Sequence, residues 1–182
     1  MYRQPDKLLA ALDAITPIMI GMGLGAAQQT GNPLIFMPLH KGADGFLSDE
    51  QFKTFYWPSL KNVIEGLIQG GCIPFCAAEG GYNTRLEVIR DLPKGKTVWM
   101  IDNSDMVKAK EILGDTLCLL GNMPSSLLQL GTADDIKGYA KTLIDTVGKG
   151  GGFIMCNGSF FDHAKPENIK AMVDYTKEYG VY

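Results

Sequence analysis

Arginine and histidine are nearly missing from this chain. Its 182 residues hold three arginines, Arg3, Arg85 and Arg90, and two histidines, His40 and His163. The lysines are scattered and the net charge is −3. A nucleic-acid binder needs a clustered basic face, so this composition argues against such a partner. Cysteine is also scarce: Cys72, Cys76, Cys118 and Cys156. Three of them fall inside apolar runs, which reads as reduced, buried thiols in a cytoplasmic protein and not as a disulfide framework. Cys72-x3-Cys76 has no second pair or neighbouring histidine to complete a four-ligand zinc site. The apolar run Ile18–Ala27 is shorter than the roughly 20 residues a spanning helix requires. It is expected to be a packed helix, and no membrane is expected as a partner. Polar Tyr2–Asp6 does not read as the start of a signal peptide. Linkers, repeats and low-complexity stretches are missing too, so residues 1–182 read as a single domain.

What is present is a repeated pattern. Apolar strand-like runs end one after another in a polar residue. Pro33–Leu39 ends at His40, Ile73–Ala78 at Glu79, Thr97–Ile101 at Asp102-Asn103, Thr116–Gly121 at Asn122, and Gly152–Cys156 at Asn157 with Ser159 beyond. Amphipathic helical stretches lie between them. This alternation predicts an α/β protein with a parallel sheet. In a closed β/α barrel all strand C-termini face one mouth, which would gather these endings around one pocket. Five runs do not close an eight-stranded barrel, so an open sheet is the alternative.

The helix signals are specific. Asp6 opens a helix that Pro17 is expected to interrupt, with a second piece running to about Gln29. Ser48-Asp49-Glu50-Gln51 is a capping box leading to about Gln69, with a kink expected at Trp57-Pro58. Asn83 or Thr84 starts a short helix, Ser104 caps another to Leu113, and Thr132 opens one to about Val147. Pro166-Glu167 suits the first turn of the last helix, which Gly180 closes. The aromatic stretch Phe52, Phe55, Tyr56 and Trp57 reads as core or subunit packing. Gly148–Gly152 ends a helix and precedes a strand, the reverse of a phosphate-binding loop.

Three segments carry a family resemblance. Asp115–Pro124 reads DTLCLLGNMP, Gly151–Asn168 reads GGFIMCNGSFFDHAKPEN, and Phe46–Phe52 precedes a helix containing Trp57-Pro58-Ser59-Leu60-Lys61. Together they resemble the uroporphyrinogen decarboxylase superfamily, over about Pro5 to Tyr182. The resemblance implies a parallel (β/α)8 TIM-barrel fold. It also implies that this chain holds only the C-terminal half or slightly more of the barrel. Exposed strand edges and an uncovered apolar face would then favour self-association, so a homo-oligomer is expected.

The family has several branches. The decarboxylase branch has a Gly-His-Gly segment near the last strand; the matching positions here are Gly158-Ser159-Phe160, without the histidine. Its polycarboxylate substrate also calls for arginines, and none sits at a strand end. The thiol-methylating branch holds zinc with a His-x-Cys pair and a later cysteine. Those places fall at Ala78-Glu79-Gly80 and near Ser159, so no zinc is expected. By strand alternation Cys156 should point away from Ser159.

What remains is a mouth of acids and amides able to meet a flat heterocycle with several N–H and C=O groups, such as a pterin. Some relatives move a methyl group between a corrinoid protein and tetrahydrofolate. The resemblance therefore implies a methyltransferase-like enzyme with those two co-substrates, a corrinoid-binding protein as partner, and no tightly bound cofactor. Glu79, Asp102 and Asn157 are the expected catalytic residues; Asn122, Ser159 and His40 are the expected substrate contacts. Each has a plainer reading. Glu79 can be a surface acid in a turn, Asp102 part of a helix cap, and Asn122 and Asn157-Gly158 turn formers. His40 can be structural, and Asp162 and His163 loop residues. The alternatives for the whole chain are a uroporphyrinogen decarboxylase homologue and a catalytically inactive partial barrel.

Overall fold

The computed structural model describes residues 1–160 and 163–181. Five parallel strands lie in sequence order: β1 (Leu34–Pro38), β2 (Ile73–Ala78), β3 (Val98–Ile101), β4 (Cys118–Met123) and β5 (Phe153–Asn157). The helices are α1 (Pro5–Thr30), α2 (Asp49–Gln51), α3 (Trp57–Gln69), α4 (Leu86–Ile89), α5 (Met106–Leu113), α6 (Ser125–Leu130), α7 (Ala133–Leu143) and α8 (Pro166–Tyr179). Two π-helical turns, Phe52–Tyr56 and Ile144–Gly148, join α2 to α3 and extend α7. This is a run of β/α units, a partial barrel with both sheet edges open among the described residues.

Local chemistry accounts for most boundaries. Ser48 forms the expected capping box with Gln51, and Thr132 forms one with Asp135. Pro166 occupies the first turn of α8. The π-helical turn Phe52–Tyr56 lies just before Trp57-Pro58, and Pro58 falls in the first turn of α3.

Two expectations are corrected, at Pro17 and at Ser104, and the first helix is longer than the apolar run within it. Pro17 does not interrupt the first helix: α1 runs unbroken for 26 residues. A mid-helix proline frees the carbonyl four residues earlier; here that is Asp13, which is exposed to water. The same helix is long and apolar enough to cross a membrane, where the run Ile18–Ala27 alone is not. It has no fully buried residue and packs against α3. Finally, Asp105 and not Ser104 caps α5, accepting from the Val107 and Lys108 N–H groups.

The two sheet faces differ. Cys76, Ala78, Trp99, Ile101 and Leu119 point toward the helices and form the main core with Phe52, Trp57, Ile64 and Leu86. The opposite face carries Ala77, Met100 and Leu120, with Phe75, Val98 and Cys156 packed beside them. No helix covers that second face among the described residues, so Leu34, Phe36, Ile73 and Ile154 remain exposed. Parallel sheets are normally covered on both sides. A closed barrel would turn this face into its interior.

Candidate functional site

All five strand C-termini lie at one end of the sheet, and the polar residues predicted there divide into two groups. The first group is at β1 and β2. His40 follows β1 and Glu79 follows β2, and the register pairs Pro38 with Ala77, so the two side chains meet. His40 Nδ1 and Glu79 Oε2 are hydrogen-bonded. Glu79 is half-buried and His40 is exposed.

The backbone holding this pair is fixed on both sides. The Leu39 N–H donates to the Ala77 carbonyl at 2.9 Å. The Leu39 carbonyl accepts from the buried Tyr82 hydroxyl at 2.7 Å. The loop after His40 is tied down by the Asp44 N–H, which donates to the Gly81 carbonyl at 2.7 Å. Beneath it the buried Arg85 donates to the Leu47 and Gly42 carbonyls and pairs with Asp49. Its guanidinium also lies 4.7 Å from the Phe52 ring centre. A buried guanidinium is tolerable only when its donors are satisfied, and this one ties the β1 loop to the start of α4.

The second group is a polar pocket of about 490 Å³ at the ends of β3, β4 and β5. Asp102, Ser104, Asn122, Ser126, Tyr139 and Ser159 are among the residues lining it. Lysine and arginine are missing from its lining among the described residues. Asp102 links the two groups, because its Oδ2 accepts from the Gly80 N–H at 2.8 Å.

Asn122 lies inside β4 and not beyond its end, since β4 pairs with β5 as far as Met123. Its Nδ2 donates to the Asp102 and Ser104 carbonyls, each at 3.1 Å, and its Oδ1 accepts from Tyr139 Oη at 3.1 Å. Both amide donors are spent on protein, so Asn122 builds the pocket wall. Burial raises the Tyr139 phenol above its ordinary range, which keeps it a donor to Asn122.

Asn157 ends β5, and its amide is engaged locally with the Ser159 carbonyl and the Cys156 thiol. It is not among the lining residues of this pocket, whereas Gly158, Ser159 and Phe160 are. Cys156 packs against Ala77, Met100 and Leu120, and burial pushes its thiol upward. His163 is exposed, and Asp162 lies outside the described residues.

Two glycines let the strand ends close together. A Cβ on Gly121 would stand 2.4 Å from the Ile101 carbonyl oxygen, and that residue has φ of 132°. A Cβ on Gly158 would stand 2.6 Å from the same oxygen. The β4 and β5 backbones thus press against the end of β3 in a way that a side chain would block.

Sequence reasoning missed Tyr139, Arg85 and Tyr82. Tyr139 sits with Ile136, Ala140 and Leu143 on the buried face of α7, at spacings that read as core. Arg85 and Tyr82 gave no local signal, because their partners lie far away in sequence.

Comparison with known proteins agrees with this architecture. The family model for uroporphyrinogen decarboxylase (URO-D) matches residues 1–179. A uroporphyrinogen decarboxylase of Chlorobaculum tepidum is 32% identical over 184 residues, covering 98% of this chain and 51% of that protein. One of Chlorobaculum parvum is 26% identical over 186 residues, again covering 98% and 51%. The chain spans about half the length of the curated relatives it matches. A methyltransferase from Methanosarcina mazei has the same fold with a TM-score of 0.78 at 22% identity, covering 94% of this chain and 49% of that one. On the strength of the family match over nearly its whole length, the chain belongs to the uroporphyrinogen decarboxylase family.

Proposed function

We propose that the chain is a methyltransferase-type member of the family. It would bind a tetrahydrofolate-like pterin at the strand ends and exchange a methyl group with a corrinoid carried by a partner protein. The observation that carries this reading is the cation-free polar pocket. A porphyrinogen with many carboxylates would leave its charges unpaired against Asp102 and Ser159. A pterin instead offers amino and ring N–H donors to Asp102 and to the serine hydroxyls, and a carbonyl to those hydroxyls. Asp102 is the principal donor-binding group, with Ser104 and Ser159 beside it. Glu79 adjoins it through the Gly80 contact, and His40 is hydrogen-bonded to Glu79. No step here calls for zinc, and His-x-Cys is replaced by Ala78-Glu79-Gly80.

The second reading is a uroporphyrinogen decarboxylase homologue, favoured by the names of the curated relatives. One titration separates the two. Calorimetry of this chain with tetrahydrofolate is expected to give micromolar binding that weakens at least tenfold in Asp102→Ala. Binding of a uroporphyrin with no binding of tetrahydrofolate at millimolar concentration would overturn the proposal.

A further inference from the structure

We infer that His40, oriented by Glu79, is the proton donor at this site. The inference rests on the methyltransferase reading above. Residues 39 apart in sequence form the pair, with the Glu79 carboxylate on Nδ1 of the imidazole. That contact fixes the ring's orientation and leaves Nε2 without a hydrogen-bond partner among the described residues. The ring is exposed, with a side-chain exposure of 57%, so Nε2 is accessible to a ligand, while Glu79 is less open at 25%. An orienting carboxylate behind an accessible imidazole is the arrangement general acid–base catalysis requires.

Several bonds set the pair in advance. Leu39 is held by Ala77 on one side and by Tyr82 on the other. Gly80, directly after Glu79, is held by Asp102. Preorganisation of this kind lets a group act without reorganising during the reaction. Strand order puts the pair on β1 and β2, with Glu79 between the imidazole and Asp102, the acid to which the proposed pterin would be bound.

The step balances as follows. The bond between the methyl carbon and the ring nitrogen breaks, and its electron pair stays on nitrogen. The proton on Nε2 of the His40 imidazolium passes to that nitrogen. The methyl carbon goes to the reduced, Co(I) form of the corrinoid, whose electron pair forms the new bond. His40 ends neutral, with its Nδ1–H still donated to Glu79. Glu79 acts through His40 and is a positioning residue.

The chain's two histidines make the test direct. In a His163→Asn background only one imidazole remains, and its nitrogen resonances can be read with ¹⁵N-labelled histidine. The neutral ring is expected in the Nδ1–H form, and Glu79→Gln is expected to lose that preference. Tetrahydrofolate is expected to move the Nε2 resonance. His40→Gln is expected to keep the tetrahydrofolate dissociation constant within threefold. It should slow single-turnover methyl transfer from 5-methyltetrahydrofolate to cob(I)alamin by about a hundredfold. His40→Gly should be partly rescued by added imidazole. Tetrahydrofolate binding with an unmoved Nε2 resonance, or an unchanged rate in His40→Gln, would overturn this role and leave the pterin pocket standing. Failure of the wild-type chain to bind tetrahydrofolate would remove both.

Discussion

Asp102 accepts the Gly80 N–H at 2.8 Å, joining the end of β3 to the turn after β2 across 22 residues of sequence. One carboxylate oxygen therefore works for the fold, and the other is available to a ligand. Two substitutions separate the roles. Asp102→Asn keeps an acceptor for Gly80 but removes the charge. It should retain stability and lose most pterin affinity. Asp102→Ala strands the Gly80 N–H and should also cost about 1 kcal/mol in stability. Urea unfolding alongside calorimetry checks both, and equal stability loss in the two variants would count against the division.

Arg85 should be the most sensitive charged residue in the chain. It is 2% exposed and satisfied by two carbonyls and Asp49. Arg85→Leu leaves those buried carbonyls without partners and should cost about 1–3 kcal/mol. In Asp49→Asn the side-chain oxygen can still accept from Arg85, and Asp44 keeps a carboxylate 3.7 Å from the guanidinium, so this variant should cost less. Thermal unfolding of the pair decides this; similar losses in both would mean the ion pair itself carries the stability.

Gly158→Ala should destabilise by about 1–3 kcal/mol, because its Cβ would meet the Ile101 carbonyl oxygen at 2.6 Å. Gly150→Ala is the control: nothing lies within 4 Å of its Cβ, and only its φ of 81° is strained. An unperturbed denaturant midpoint in Gly158→Ala would show that the β5 end can move away from β3.

The sheet was readable in the sequence and the site only partly so. Alternating apolar runs located all five strands to within about two residues, because burial on a parallel sheet imposes continuous apolar stretches. The error at β4 came from Asn122, a polar residue that reads as a strand end. Pairing with β5 and the Tyr139 hydrogen bond keep it within the strand instead. Pro17 misled in the other direction. A proline is a local breaker, but α1 is held by its contact with α3, and Asp13, whose carbonyl the proline frees, is an exposed residue. His40 and Glu79 were both legible as strand-end residues. That they touch was not, because contact between residues 39 apart depends on strand register, which periodicity alone does not set.

Stability should fall on the alkaline side through Tyr56. Burial, partly offset by the hydrogen bond with Tyr82, pushes its phenol from 10 up to about 12. Tyr82 is raised as well, first by burial. A raised folded-state value means that the unfolded chain releases the proton first. The contribution is therefore intact below about pH 10. It is lost as pH rises through about 12. Tyr56→Phe should flatten the urea midpoint against pH between about 10 and 12. A wild-type midpoint that does not drop across that interval would show that Tyr56 ionises freely when folded.

The uncovered sheet face should make the chain associate. Leu34 and Phe36 on β1 and Ile73 on β2 are exposed side by side, in register, with Phe36 edge-on to Phe75 at 5.4 Å. β1 is also a free edge, whose outer backbone groups have no strand partner in the sheet. An apolar face next to an open parallel edge is a template for another copy of the chain. Light scattering should find mass above the monomer that rises with concentration. Phe36→Lys places a charge on that face and should shift the distribution toward monomer. It should leave the helix-side core intact, because Phe36 points away from Cys76, Trp99 and Leu119. Monomeric wild-type protein at high concentration would mean that the exposed face is too small or too curved to pair with itself.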